Sequence, residues 1–269
     1  MGFARAVSEV LFEPSGGTFL PTGFARGPWS PDSLHGGPVA ALLARALEGA
    51  PAAGPMHPAR LTVELLRPVP LAPLSVRVEE LRPGRKVQWL EATLSAGSDV
   101  VARARMLRIR AADVPVPAAL EAGESRPFAA PGECEPHEAP WRGGGIVAFH
   151  SHATEHRAAR GSWHEPGPIS DWIRLRVAVV PGETPSPLQR VAAVADFGNG
   201  VSSVLPFGEY LFINPDLTIH LHRLPAGEWV CLDAVTMVSG GGTGLAESAL
   251  WDERGRIGRS AQSLLVERR

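Results

Sequence analysis

The pattern of apolar and polar positions predicts one helix followed by four strands in the first part of the chain. The helix opens within residues 31–38 and runs to about Glu48, and Asp32 or Ser33 can cap its first N–H groups. Its interior, residues 39–47, is apolar nearly all round, which is typical of a helix buried in the curve of a sheet. Alternation then predicts strands over residues 59–69, 74–81, 86–95 and 100–110. One helix followed by an antiparallel meander is an α+β unit.

The second part of the chain repeats this order. Strands are predicted over residues 146–157 and 162–179, and a helix over residues 187–196, ended by the glycines at 198 and 200. Four more strands are predicted over residues 212–224, 229–238, 244–251 and 257–266, and an edge strand over residues 8–18. Residues 111–145 are rich in Pro, Ala, Glu and Gly and lack periodicity. We therefore predict an N-terminal domain (1–110), a linker (111–145) and a C-terminal domain (146–269).

A repeat with one fixed offset relates the two domains. Residues 217–223 read LTIHLHR and residues 61–67 read LTVELLR, and 217 − 61 = 156. The same gapless offset superposes four further identities: Gly84 on Gly240, Glu91 on Glu247, Leu94 on Leu250, and Arg103 on Arg259. Because two copies are too few for a solenoid, we predict a fused pair of similar domains about a pseudo-two-fold axis.

Composition narrows the classes of partner. The 269 residues are 44% hydrophobic and carry a net charge of −2, which indicates a globular core and gives no reason to expect nucleic acid. No apolar run approaches the roughly 20 residues that span a bilayer, and residues 1–10 lack the apolar centre of a signal peptide. Cys134 and Cys231 have no CxxC partner, so neither a metal site nor a disulfide is predicted. These features predict a cytoplasmic protein without a membrane span.

Four motifs make the chain similar to a known family. They are His35-Gly36-Gly37, Val194-Ala195-Asp196, residues 214–223, and Arg259-Ser260-Ala261-Gln262. Together with the repeat they resemble the acyl-CoA thioesterase II family. The resemblance implies a double hotdog, in which two antiparallel sheets are each wrapped around a central helix and joined in tandem. It also implies a role in lipid metabolism, the hydrolysis of acyl-CoA to free carboxylic acid and CoA, with no cofactor.

The resemblance places a hydrolytic water in the second domain. In that family an Asp, a Thr or Ser, and a Gln hold the water, and these positions fall on Asp196, Asn214 and Gln262. Asn214 departs from the pattern, although an amide can still donate and accept hydrogen bonds. Thr218 supplies a hydroxyl four residues away. Each of the three has a plainer interpretation: a helix-end acid for Asp196, a structural amide for Gln262, and a strand-entry residue for Asn214.

The chemistry of thioester hydrolysis suits such a site. It needs a positioned water, a group that polarises the water, and donors for the carbonyl oxygen. The absence of a G-x-S-x-G sequence speaks against an α/β-hydrolase. The helix N-terminus at His35, Gly36 and Gly37 would bind a thioester oxygen or a pantetheine amide through its N–H groups. The alternative is a simple helix start in which glycine allows tight packing.

Five histidines raise the question of a metal. His150, His152 and His156 share one predicted strand face, and His220 and His222 share another. No carboxylate or cysteine is interleaved with them at ligand spacing, so we predict no metal site.

Two other functions stay open at this stage. The protein could bind acyl thioesters without turnover, which the Asn214 departure favours, or it could be a hotdog hydratase or dehydratase. The offset places Ala40, Pro58 and Met106 opposite Asp196, Asn214 and Gln262, which predicts one active site per chain. The acyl group accepted, and whether such pseudo-dimers associate into a homo-oligomer, are not determined by the sequence.

Overall fold

A computed structural model describes residues 9–117, 120, 124–137 and 146–269. Within them, thirteen strands form one antiparallel sheet with few helices, in the order β1-β2-β4-β5-β6-β3-β10-β13-β12-β11-β8-β7, with β9 pairing β13. The strands are β1 Phe12–Ser15, β2 Thr18–Pro21, β3 Met56–Leu65, β4 Leu74–Arg82, β5 Val87–Ala96, β6 Asp99–Arg110, β7 Thr154–Arg160, β8 Ile169–Leu175, β9 Tyr210–Ile213, β10 Asp216–Leu221, β11 Trp229–Ser239, β12 Thr243–Asp252 and β13 Gly255–Arg268. The helices are α1 Gly36–Glu48, α2 Pro187–Ala195 and α3 Gly198–Val201.

Helix α1 is buried as its composition predicts, but it begins later than expected. The side chains from Val39 to Ala44 are fully buried, and α1 packs against α2. The cap is His35, and the prediction of Asp32 or Ser33 as the cap is wrong. Both of those residues precede the helix in a segment that pairs elsewhere, through bridges from Ser33 to Pro70 and from Leu34 to Arg26.

Glycine at the start of α1 permits its close contact with α2. A Cβ on Gly37 would lie 2.3 Å from the carbonyl oxygen of Ala193, and a Cβ on Gly36 would lie 2.6 Å from Asp196 Oδ2. Both distances are shorter than any side chain tolerates. The helix crossing therefore requires glycine at these two positions.

The strand register reproduces the 156-residue offset. Strand β12 covers the residue numbers of β5 plus 156, since 243 − 87 and 252 − 96 both equal 156. The pair Val76 and Leu94 in β4–β5 corresponds to the pair Leu232 and Leu250 in β11–β12 with the same shift. Strands β3 and β10 pair with each other, and this pairing is called the β3–β10 seam. In it, residue 62 lies opposite residue 218, its counterpart under the 156-residue offset. Equivalent residues face one another in an antiparallel pair only where a two-fold axis passes between them.

The offset does not continue unchanged through the helices. Helix α1 begins at residue 36 and α2 at residue 187, a shift of 151 (187 − 36), and the second helical segment is interrupted between α2 and α3. The sheet register therefore does not establish Ala40 as the counterpart of Asp196.

Several predicted boundaries are wrong in the second part of the chain. Residues 149–153 form a π-helical turn instead of a strand, so His150 and His152 do not share a strand face with His156. This segment docks on the first part of the chain, where Arg26 Nη1 donates to the carbonyl of Val147. The strand predicted from residue 162 begins at Ile169, after a turn in which Gly161 has a φ of 77°.

The edge strand predicted over residues 8–18 is a hairpin of β1 and β2 turned at Gly16 and Gly17, and its first residue, Ser8, lies outside the described part.

Part of the predicted linker packs against the sheet. Phe128 and Cys134 join a cluster with Trp172, Cys231 and Trp251, and Trp172 Nε1 donates to the carbonyl of Ala129 at 2.9 Å. Both cysteines are unpaired. Residues 118–119, 121–123 and 138–145 of that linker lie outside the described residues. Among the residues described, no helix combines the length and apolar character that crossing a membrane requires.

Candidate active site

A cavity of about 620 Å³ lies where the N-terminus of α1 meets the C-terminus of α2. Its walls come from both parts of the chain: the loops before α1 and after β3 on one side, and α2–α3 and β9 on the other. The polar residues that line it include His35, Asp196, Asn199 and Asn214. The aromatic residues that line it are Trp29, Phe197, Phe207 and Phe212.

Asp196 is the C-cap of α2 and the point where the predicted site residues meet. Its side chain is buried, with 7% of the residue exposed. Oδ1 accepts from Asn214 Nδ2 at 2.8 Å and from Gln262 Nε2 at 3.3 Å. Oδ2 lies 2.8 Å from His35 Nδ1. Asn214 and Gln262, which are predicted to share one water with Asp196, thus each contact its carboxylate directly.

The tautomer of His35 follows from these contacts. Nδ1 lies 2.8 Å from Asp196 Oδ2 and 3.1 Å from the backbone N of Gly37. If Nδ1 accepted the Gly37 N–H, its lone pair would face a carboxylate oxygen, and two acceptors repel. The consistent assignment is that Nδ1–H donates to Asp196, which also receives the Gly37 N–H. The lone pair of the neutral ring then resides on Nε2.

The electrostatics of Asp196 favour its charged form. Burial alone would raise the pKa of this carboxyl group, but hydrogen bonds from His35, Asn214 and the Gly37 backbone outweigh burial and lower the pKa below its usual value. A carboxylate has about four lone-pair positions, and four donors reach this one. The four donors therefore hold the Asp196 carboxylate in one orientation, and its own basicity is low.

Gln262 is held by contacts at both ends of its amide. It lies on β13 and is 1% exposed. This burial is predicted by strand alternation, because Gln262 and Leu264 are two residues apart and lie on the same face of the strand. Nε2 donates to the backbone carbonyl of Asp196 at 3.1 Å, and Oε1 accepts from the backbone N of Asn199 at 3.0 Å. The amide orientation follows from these partners, because only the NH₂ end can donate to Asp196.

Two further features of the site escaped prediction. The first is the pairing of His35 with Asp196, because these residues lie 161 positions apart (196 − 35) and no local pattern relates them. The second is Asn199, which the sequence marks only as part of a helix-ending segment; Nδ2 donates to the Phe212 carbonyl at 2.9 Å. Thr218 takes no part in the site, since its hydroxyl faces Thr62 in the β3–β10 seam at 3.4 Å.

The fold also brings together a second imidazole–carboxylate group. His156 Nδ1 lies 2.8 Å from Asp171 Oδ2, and His137 Nε2 lies 3.7 Å from Asp171 Oδ1. The spacing of the histidines in the sequence does not reveal this group, because Asp171 comes from the neighbouring strand β8. However, His137 Nδ1 accepts the N–H of Ala158 at 3.0 Å, so Nε2 carries the proton and cannot bind a metal in that state. The arrangement favours a hydrogen-bond network over a metal centre.

Comparison with known proteins identifies the family. A model of the acyl-CoA thioesterase N-terminal domain matches residues 25–109, and a model of the acyl-CoA thioesterase C-terminal domain matches residues 131–266. Among curated protein sequences, no match to this chain is found.

Solved structures share the architecture at low sequence identity. A protein of unknown function with a hot dog fold from Alicyclobacillus acidocaldarius is 16% identical over 95% of each chain, with a TM-score of 0.72. A tesB protein from Mycobacterium avium subs paratuberculosis is 16% identical, covering 95% of this chain and 96% of its own, with a TM-score of 0.66. An acyl-CoA thioesterase II from Mycobacterium marinum is 14% identical, covering 88% and 92%, with a TM-score of 0.63.

The antiparallel sheet, the buried helices and the cavity between them define a protein of the hotdog fold. The matched domains give the narrower class: the chain belongs to the acyl-CoA thioesterase family.

Proposed function

We propose that this protein hydrolyses acyl-CoA thioesters to a free carboxylic acid and CoA, with one active site in each chain. We also infer that the chain is a double hotdog that arose by tandem duplication, divided near residues 111–145. The observation that carries the function is the 2.8 Å contact between His35 Nδ1 and Asp196 Oδ2 at a cavity lined by both parts of the chain. The two unpaired cysteines are compatible with the proposed cytoplasmic location.

In the proposed reaction His35 is the general base. Water attacks the thioester carbonyl carbon while Nε2 takes one proton from it, and Asp196 stabilises the resulting imidazolium. The C–S bond then breaks and the proton passes from Nε2 to the leaving sulfur. Because a thiol has a pKa near 8.5, the sulfur departs with little help from an acid. This assignment changes the expected role of Asp196, whose lone-pair positions are already occupied by donors.

Asn214 and Gln262 are proposed to act through Asp196. Both amides donate to Oδ1, so they fix the rotation of the carboxylate and leave Oδ2 directed at His35. An amide at position 214 performs this task because it needs only a donor, and a hydroxyl in its place would do the same. The Gly36 backbone and the positive end of α1 are proposed to hold the thioester oxygen or a pantetheine amide.

The test is release of free thiol from a panel of acyl-CoAs by the purified chain, alongside Asp196→Ala. We expect turnover in the parent and a loss of roughly 10²-fold or more in the variant, since an oriented base contributes about 10²–10⁴-fold. Substrate binding should be largely retained, because the lost interaction belongs to the transition state. Equal turnover by parent and variant would refute the mechanism.

A hydratase is the second candidate, because an imidazole–carboxylate pair at a hotdog cavity would also serve addition of water to a double bond. Here His35 and Asp196 come from two different helices. An enoyl-CoA substrate separates the two functions. Loss of the conjugated enoyl absorbance without thiol release would favour the hydratase, and thiol release with the double bond intact would favour the thioesterase.

A further inference from the structure

A second cavity, of about 720 Å³, lies at the opposite end of the two helices, where α1 ends and α2 begins. Its arrangement parallels that of the first. His35 stands at the N-cap position of α1 and donates to Asp196 at the end of α2, whereas Ser186 caps α2 and donates to Glu48 at the end of α1. Ser186 Oγ lies 2.8 and 2.7 Å from the two oxygens of Glu48. The duplicated architecture therefore presents a carboxylate at each helix end.

This second cavity lacks the groups proposed for hydrolysis. A serine stands at the cap where the first cavity has an imidazole, and the sheet offset places Met106 where the first has Gln262 (262 − 156 = 106). The second cavity therefore has no counterpart of the His35–Asp196 pair, and the chemistry of its lining suits binding.

Gln189 and Glu48 of the second cavity can each accept further hydrogen bonds. Gln189 lines it, is 6% exposed, and donates through Nε2 to Glu48 Oε2 at 3.0 Å, while its Oε1 has no partner among the described residues. Among the described residues, Glu48 receives hydrogen bonds from Ser186, whose hydroxyl contacts both oxygens, and from Gln189, so at least one of its about four lone-pair positions stays open. The atoms of Gln189 and Glu48 that can still form hydrogen bonds in this cavity are therefore acceptors.

The charges around the cavity are also unbalanced. Glu48, Glu80 and Glu183 line it against a single cation, Arg45, so the formal charge of the lining is −2 (1 − 3). Arg45 is occupied by Glu183, with Nε–Oε2 at 2.7 Å. Behind the wall, buried Arg108 donates to the carbonyls of Leu47 and Ala50, which reduces the local charge to about −1. A cation carrying several N–H donors complements both the charge and the free acceptors.

We propose that this second cavity binds a linear aliphatic amine of the polyamine class. One ammonium group donates to Gln189 Oε1 and Glu48, and a second reaches Glu80 at the exposed rim. The methylene spacers lie along the apolar part of the wall, formed by Ala46, Val78 and Leu90. A polyamine is a polycation, whereas an acyl-CoA carries negatively charged phosphates, so the two cavities take different molecules.

Calorimetric titration of the full chain with spermidine tests the proposal. We expect saturable one-site binding, weakened at least tenfold in Glu48→Gln and in Gln189→Leu. Glu253→Gln is the matched control, because it removes one carboxylate from the exposed β12–β13 turn outside the cavity and should leave affinity unchanged. Glutarate, an anion of similar length, should not bind.

The proposal is overturned if spermidine shows no saturable binding, if Glu48→Gln and Gln189→Leu both bind it as tightly as the parent, or if Glu253→Gln weakens binding as much as they do. Because Glu48 at the end of α1 and Gln189 on α2 hydrogen-bond each other, the thermal midpoint of each variant is recorded. If either does not fold, Glu80→Gln at the rim replaces it, with the same tenfold criterion. Thiol release is measured separately, so a failure of this proposal is distinguishable from a failure of the proposed hydrolase activity.

Discussion

At the scale of single residues, the proposed chemistry depends on how His35 is held. The ring packs against both Phe149 and Phe197, with centroid distances of 5.0 and 4.8 Å, and its Nδ1 is fixed by Asp196. Aromatic neighbours and one carboxylate together restrict the imidazole to a single orientation. That restriction is what a general base requires before a substrate arrives.

Replacing His35 by asparagine separates its two roles. Asparagine is a good helix cap and can still donate to Asp196, but it has no basic nitrogen. We expect the thermal midpoint to stay close to that of the parent while kcat falls by about 10²–10⁴-fold. Steady-state thiol release and a melting curve measure both. Full turnover in His35→Asn would show that another group activates the water.

The Asp196 carboxyl group also gives stability a dependence on pH. Its pKa is lowered in the folded protein, so its contribution is present above the unfolded value near 3.9 and is lost as pH falls toward the folded value. Below about pH 4 we expect the free energy of unfolding to fall with a slope of up to about 1.4 kcal/mol per pH unit from this group. Asp196→Asn should show a shallower slope in urea unfolding over the same range. An identical slope in both proteins would exclude this origin.

Among secondary-structure elements, the crossing of α1 and α2 is the contact that forms the site. It places the cap of one helix against the end of the other, and the glycines at the start of α1 allow the approach. We expect Gly37→Ala to destabilise the fold by about 1–3 kcal/mol, because its Cβ would overlap the Ala193 carbonyl.

Gly49→Ala is the control for that substitution. Gly49 ends the same helix with a φ of −69°, and a Cβ there would lie 3.5 Å from its nearest neighbour. Alanine should therefore be neutral or slightly stabilising. Denaturant midpoints of the two variants give the comparison. Equal midpoints would mean that α1 shifts to accommodate the methyl group.

The elements that could be predicted are those whose pattern is local. The strands on either side of the β3–β10 seam follow from alternation and from the 156-residue repeat, and the buried α1 follows from its apolar run. The π-helical turn at Phe149–Ala153 could not be predicted, because the contact of Arg26 with Val147 that accompanies it joins residues far apart in sequence. The same limit applies to the site. Asp196 and Gln262 were identified from motifs, whereas the His35–Asp196 pairing depends on how the helices cross.

For the whole molecule, the sheet runs without a break from one half to the other. Strands β3 and β10 pair over five consecutive residues of each, and the helices of the two halves pack on each other. Residues 111–117, which begin the covalent connection between the halves, are exposed. Association of the halves should therefore not depend on the connecting chain.

A protease site inserted at Val114, which is 65% exposed, tests this directly. After cleavage we expect the two fragments to co-elute in size-exclusion chromatography and to retain the thiol release of the intact chain. The matched control is the same insertion without protease. Separation of the fragments, or loss of activity on cleavage alone, would show that the connection maintains the cavity.

The pairing of Thr62 with Thr218 bears on how the two cavities came to differ. In a symmetric dimer of identical subunits, every substitution appears twice, so a change that improves one site alters the other equally. Once both copies are encoded in a single gene, residue 62 and residue 218 can still meet at the axis while Gln262 and Met106 evolve independently. Under the proposed duplication, fusion removes the constraint that kept the sites alike, and one of them becomes available for selection toward a different ligand.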